Sequence, residues 1–99
     1  MGGVVVPPVE YDREFPGRII REDLPYWDIA KASGVTGRKG RIEAYSRVFQ
    51  DSLNPAAQAC KIVVPVVGTG GTKAEQIADL LRHEIGHCNG WPADHKGGR

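Results

Sequence analysis

The strongest hydrophobic rhythm in the chain lies near its C-terminal end. Ile77, Leu80, Leu81, Ile85 and Cys88 recur at the three- and four-residue intervals that put side chains on one helical face. Thr72, with Glu75 three residues on, has the arrangement of a capping box, and Gly90 and Pro92 are stop signals, so a helix is predicted over 73–89. Upstream the rhythm shortens to two. Ile42, Ala44 and Val48 alternate with Glu43, Tyr45 and Arg47, predicting a strand over 42–49, and the β-branched run 61–67 predicts another. Pro65 has no N–H for a ladder, which places it at a sheet edge, a bulge or the end of its strand. A loop around Asn54-Pro55 joins the two strands as an antiparallel hairpin.

The first third of the chain is less regular. Residues 24–33 predict a helix of two to three turns, with Pro25 in its first turn and Gly34 as its stop. Residues 1–23 read as an extended arm, with strand-like pieces at Val4–Val6 and Arg18–Arg21 broken by Pro7, Pro8, Pro16 and Gly17. Residues 34–40, with the basic pair Arg38-Lys39, read as a loop. The whole is an α+β pattern in one domain, residues 1–99, with a small antiparallel or mixed sheet and two helices.

Charge and size narrow the function classes. Thirteen basic and twelve acidic residues leave a net charge of +1, which argues against a strongly basic nucleic-acid binder. Lys31, Arg38, Lys39 and Arg41 form the most basic stretch, but no aromatic stacking platform accompanies it, so a solvated loop is favoured over a nucleic-acid contact. No apolar run approaches the roughly 20 residues that cross a bilayer, so no membrane partner is expected. A domain of this size buries only about 60 to 65 per cent of its unfolded surface and benefits from a staple. One is geometrically allowed. The strand from 61 to 67 spans about 20 Å and the helix from 73 to 88 about 22 Å, so a helix packed back along the strand brings Cys60 and Cys88 to one level. A disulfide there suits an extracytoplasmic protein; two reduced, buried thiols are the alternative.

All three histidines fall between positions 83 and 95. His83 and His87, four apart in a predicted helix, project from one face and can converge on one ion. Glu84 follows the first of them and stands beside a metal without having to bind it, placed to deprotonate a zinc-bound water. Zinc with three protein ligands lowers the pKa of such a water from about 16 to about 7. Gly90 allows the sharp turn that brings Asp94 and His95 back towards the helix. His95 is preferred as third ligand because imidazole is the commonest one for zinc, and Asp94 is the alternative ligand or the acceptor of a liganding histidine's second N–H. Cys88 points about 100° away from His87 around the helix, which disfavours it as a ligand. Trp91 reads as packing for the turn.

The run from His83 to His95, HEIGHCNGWPADH, resembles the active-site helix and turn of zincin-type zinc metallopeptidases, closest to the metzincin pattern HExxHxxGxxH and to small HExxH proteins of bacteria and phages. The resemblance implies a mixed sheet packed on the active-site helix and one catalytic Zn²⁺ on His83 and His87. It also implies Glu84 as general base, Gly90 as the turn glycine, and a peptide or protein substrate presented by strand addition. It departs where the metzincin third ligand would stand, which is Ala93, and the only methionine is Met1. No glutamate follows Glu84. For the group that stabilises the oxyanion in such enzymes, Tyr11, Tyr26 and Tyr45 are available and the sequence does not choose. The rival expectation is a non-catalytic module whose zinc is structural, closed by both Asp94 and His95, with a nucleic-acid contact through residues 31–41.

Overall fold

A computed structural model describes residues 4–34 and 43–99. Arg38, Lys39 and Arg41 lie outside the described residues, as does the first residue of the strand predicted over 42–49. The elements are β1 (Arg18–Leu24), α1 (Tyr26–Ser33), β2 (Tyr45–Gln50), β3 (Gln58–Pro65) and α2 (Ala74–Cys88), with a single 3-10 turn at Thr69–Gly71. The architecture is the expected α+β one, a three-stranded mixed sheet with two helices.

β3 occupies the centre of the sheet, in the order β1-β3-β2. β2 and β3 form the predicted antiparallel hairpin, in register from Tyr45 opposite Val63 to Gln50 opposite Gln58. β1 joins the other side of β3 in parallel, Arg18 beside Ala59 through Leu24 beside Pro65. A strand with neighbours on both edges and covered faces needs apolar side chains both ways, which is why its sequence reads as a run and not an alternation. Ile62, Val63 and Val64 are fully buried. Pro65 is the last residue of β3, where a missing N–H interrupts nothing. The strand therefore stops two residues before the predicted end, and Val66 and Val67 emerge as exposed residues.

Alternation divides the core between the helices. Cys60, Ile62 and Val64 meet Ile77, Leu80 and Cys88 of α2, with Val4, Phe15 and Ala44 at the margin. On the opposite face α1 packs against β3, with Ile29 fully buried. Gly34 ends α1 in the left-handed conformation at φ 72°, as its glycine anticipated.

α2 begins one residue later than the predicted cap. Thr72 is taken up by the preceding turn, donating its N–H to the Thr69 carbonyl, so Lys73 becomes the N-cap. The Gln76 side-chain oxygen accepts the Lys73 N–H at 2.7 Å, which is the reaching-back half of a capping box. At the other end of the helix Cys88 is bonded to Cys60 of β3, with Cα atoms 5.9 Å apart. Both cysteines are buried, and the ring they close spans a sequence separation of 28. Among the described residues no helix is long and apolar enough to cross a membrane.

Loop closure over that span restricts the unfolded chain by about 3.5 kcal/mol, a large share of the stability of a small domain. The double variant Cys60→Ser/Cys88→Ser is expected to lose roughly 2–5 kcal/mol, read from the shift of its urea unfolding midpoint at unchanged slope.

Candidate metal centre

The end of α2 sets the site. Gly90, at φ 108°, is the left-handed residue of a Schellman motif: its N–H bonds to the His87 carbonyl and the Trp91 N–H to the Gly86 carbonyl, each at 3.0 Å. The chain folds back over the helix there, and Trp91 is only 2% exposed. Its indole stacks on the His87 ring at 4.7 Å and 15°, and meets the rings of His83 and His95 edge-on at 5.0 Å. The indole N–H donates to the Lys96 carbonyl at 3.0 Å, tying the loop beyond His95 to the same platform. His95 sits in left-handed backbone at φ 60°, which costs a non-glycine residue roughly 1 kcal/mol. The strain falls on the residue that completes the cluster.

The Nε2 atoms of His83, His87 and His95 form a nearly equilateral triangle, with sides of 3.1, 3.1 and 3.2 Å. Three nitrogens on a tetrahedral zinc at about 2.05 Å stand roughly 3.3 Å from one another, so the donor set fits a small tetrahedral cation. Two of the rings are fixed from behind. His83 Nδ1 donates to the Val5 carbonyl at 2.7 Å and His87 Nδ1 to the Trp91 carbonyl at 2.8 Å. A carbonyl can only accept, so both rings carry their proton on Nδ1 and turn an Nε2 lone pair inward. Two inward lone pairs 3.2 Å apart repel unless a cation lies between them.

Among the described residues no other His, Cys, Asp or Glu joins the three histidines. Asp94, the alternative third ligand, is exposed and its carboxylate accepts the Lys96 N–H at 3.0 Å. Cys88 is consumed by the disulfide. No family model, curated protein or solved structure matches this chain.

Glu84 turns towards the sheet side of α2 and is 5% exposed. Burial raises its carboxyl above the ordinary carboxylate range, against a hydrogen bond from Ser46 of β2 and the pull of the His83 and His87 rings. Ser46 had no signal in the sequence; only the strand register, which puts it opposite Ile62 on the α2 face, brings it to Glu84. Tyr45 alternates to the other face of the sheet. Tyr26 stands against Gly70 at the far end of α2, and Tyr11 lies beside Gly90 just past His87.

The N-terminal arm is part of the centre, although nothing in its sequence announced this. Besides the Val5 carbonyl on His83, Val6 exchanges two backbone hydrogen bonds with Arg99, at 2.9 and 2.7 Å. The Arg99 guanidinium donates to the Pro7 carbonyl, and the Asp12 carboxylate pairs with both Arg82 and Arg99. Pro7 is fully buried against Gly86, where a Cβ would lie 2.4 Å from the proline ring. Glycine inside a helix costs about 1 kcal/mol relative to alanine, and here it opens the notch that the arm occupies.

Gly86→Ala therefore separates helix from arm. Helical content is expected to hold or rise, while zinc affinity falls about 10-fold or more as the arm lifts Val5 from His83, measured by competition with a chromophoric chelator. The arm also carries a pH signature. The hydrogen bond from Arg82, helped by Arg99, lowers Asp12 to about 2 from 3.8. Arg18 and the Leu53 N–H lower Asp51 to about 2. Both groups are depressed in the folded state, so their contribution is whole above pH 4 and lost as pH falls from about 4 through 2. The urea midpoint is expected to drop across that window, and Asp12→Asn to flatten part of the drop.

Proposed function

We propose that this chain is a zinc-dependent metallopeptidase, holding one Zn²⁺ on His83, His87 and His95 and hydrolysing peptide or related amide bonds. The observation that carries the reading is the triangle of Nε2 atoms 3.1–3.2 Å apart, with the buried Glu84 beside it on the same helix. The zincin resemblance of residues 83–95 supports the same chemistry.

When bound, zinc supplies Lewis acidity towards a carbonyl and towards water. The chain supplies the rest. The Val5 and Trp91 carbonyls hold His83 and His87 in the tautomer that keeps Nε2 free for the ion. Glu84 takes the proton of the attacking water and delivers it to the departing nitrogen. Its burial suits that exchange, because a carboxyl raised above its usual range is a stronger base than an exposed glutamate. Ser46 keeps the carboxylate oriented from β2. β2 is an edge strand of the sheet, so an extended substrate adding to its outer edge passes alongside α2. A buried Cys60–Cys88 disulfide favours an oxidising compartment as the place of work.

Glu84→Gln is expected to keep about one zinc per chain and to lose hydrolysis of a quenched peptide library by about 10²–10⁴-fold. Hydrolysis left intact would defeat the enzymatic reading and make the metal a structural one. His95→Ala is expected to lower zinc affinity more than about 100-fold, beyond the cost of losing an outer partner. Full affinity in that variant would hand the third position to Asp94.

A further inference from the structure

A cavity of about 50 Å³ opens at the other end of α2, between the helix, the Tyr26 ring and the chain entering β2. Gln76 and Leu80 form its α2 wall. Gln76, Leu80, His83 and His87 follow one another at intervals of four, three and four, so cavity and imidazole cluster share one face of the helix. Leu80 and Gln76 precede His83 by three and seven residues, about 4.5 and 10.5 Å along the axis. The other wall repeats this order. Ser46, next to Glu84, is the second residue of β2, and Glu43, in the cavity wall, lies three residues before it. The seam that holds Glu84 therefore continues directly into the cavity.

The lining carries charge of one sign only. Val4, Pro65, Leu80 and the Tyr26 ring are apolar walls, and Glu43 is the single charged residue among the lining groups. Among the described residues the Glu43 carboxylate has no ion pair or hydrogen bond. The N-terminus of α2 also borders the cavity and by itself favours an anion. Two of the donors there are already used: the Lys73 N–H goes to Gln76 Oε1 and the Gln76 N–H to the Lys73 carbonyl. What remains is a cavity with both apolar and polar walls and one negative charge that no described residue pairs. At about 10–15 Å³ per small group, 50 Å³ admits roughly four heavy atoms, the size of the end of a lysine side chain.

We infer that this cavity is a subsite for a lysine side chain of the bound peptide. Its methylenes lie against Val4, Leu80 and Tyr26, and its ammonium pairs with Glu43. Because an extended peptide advances about 3.3 Å per residue, the lysine stands two or three residues from the bond at the metal centre. The inference rests on the peptidase reading for the nature of the ligand. Lysine is placed above arginine because its single ammonium at the tip of a slim methylene chain matches one carboxylate, whereas the planar guanidinium fork is suited to bidentate partners.

The test uses the zinc-loaded Glu84→Gln chain, which binds without cleaving, and acetylated, amidated alanine-rich hexapeptides with one Lys, Met or Glu moved through each position. Affinities are read by amide chemical-shift titration. Lysine at one fixed position is expected to bind at least 10-fold tighter than glutamate there, with shifts at Glu43, Leu80 and Gln76. A second substitution, Glu43→Gln, should shrink the preference to about 2-fold or less, and Glu43→Lys should reverse it. The inference is overturned by absence of binding, by absence of a lysine preference, or by a preference that survives Glu43→Gln in a protein of unchanged circular dichroism. Hydrolysis of the same peptides by the unsubstituted chain is scored separately. Lysine-selective binding without cleavage keeps the subsite and defeats the peptidase reading; cleavage without lysine selectivity does the reverse.

Discussion

Three imidazole nitrogens held 3.1–3.2 Å apart, two of them with the lone pair turned inward, is an arrangement that a protein does not drift into. Without a cation the lone pairs repel, and an ordinary helix end would let the rings swing apart into water. Much of the structure resists that escape. The Schellman turn at Gly90 reverses the chain, Trp91 packs against all three rings, and the Val5 and Trp91 carbonyls lock two of them from behind. The left-handed backbone of His95 is a local cost that the neighbouring contacts absorb.

That rigidity needs a foundation, and a domain of this size has little core to give. The disulfide supplies part of it, joining the central strand to the last residue of the helix one position beyond His87. The register of β3 supplies another part, since the face that carries Cys60, Ile62 and Val64 is the one on which α2 lies. The same face brings Ser46 up against Glu84 from the edge strand. Core, staple and the buried Glu84 carboxylate therefore share one layer of side chains. A change made for stability in that layer alters the neighbourhood of the carboxylate as well.

The sequence was informative where chemistry repeats at short range. The periodic helix, the histidine spacing, the Gly90 turn, the hairpin and the level of the two cysteines could all be read from neighbours a few residues apart or from element lengths. The helix cap was displaced by one residue because Thr72 serves the preceding 3-10 turn, a competition that residue types alone do not rank. β1 was legible only in its first four residues, since an edge strand with charged Arg21, Glu22 and Asp23 hardly alternates. Pairings across the whole chain left no trace: Val5 with His83, Asp12 with Arg82 and Arg99, Ser46 with Glu84. Each depends on a fold-wide register. Gly86, a helix-interior glycine, likewise has its reason 79 positions away, in Pro7.

The arm has a consequence in time as well as space. Residues 4–12 leave the ribosome at least 70 positions ahead of Arg82, His83, Gly86 and Arg99, on which they dock. The hydrogen bond from His83 to Val5 spans 78 positions, so the arm must wait for all of the intervening chain before it finds its place. Until then the Cys88 partner of the disulfide, the third imidazole and the Trp91 carbonyl that steadies the second are all missing together. An ion held by the three imidazoles would accordingly be captured only after His95 is made and the arm has docked on His83.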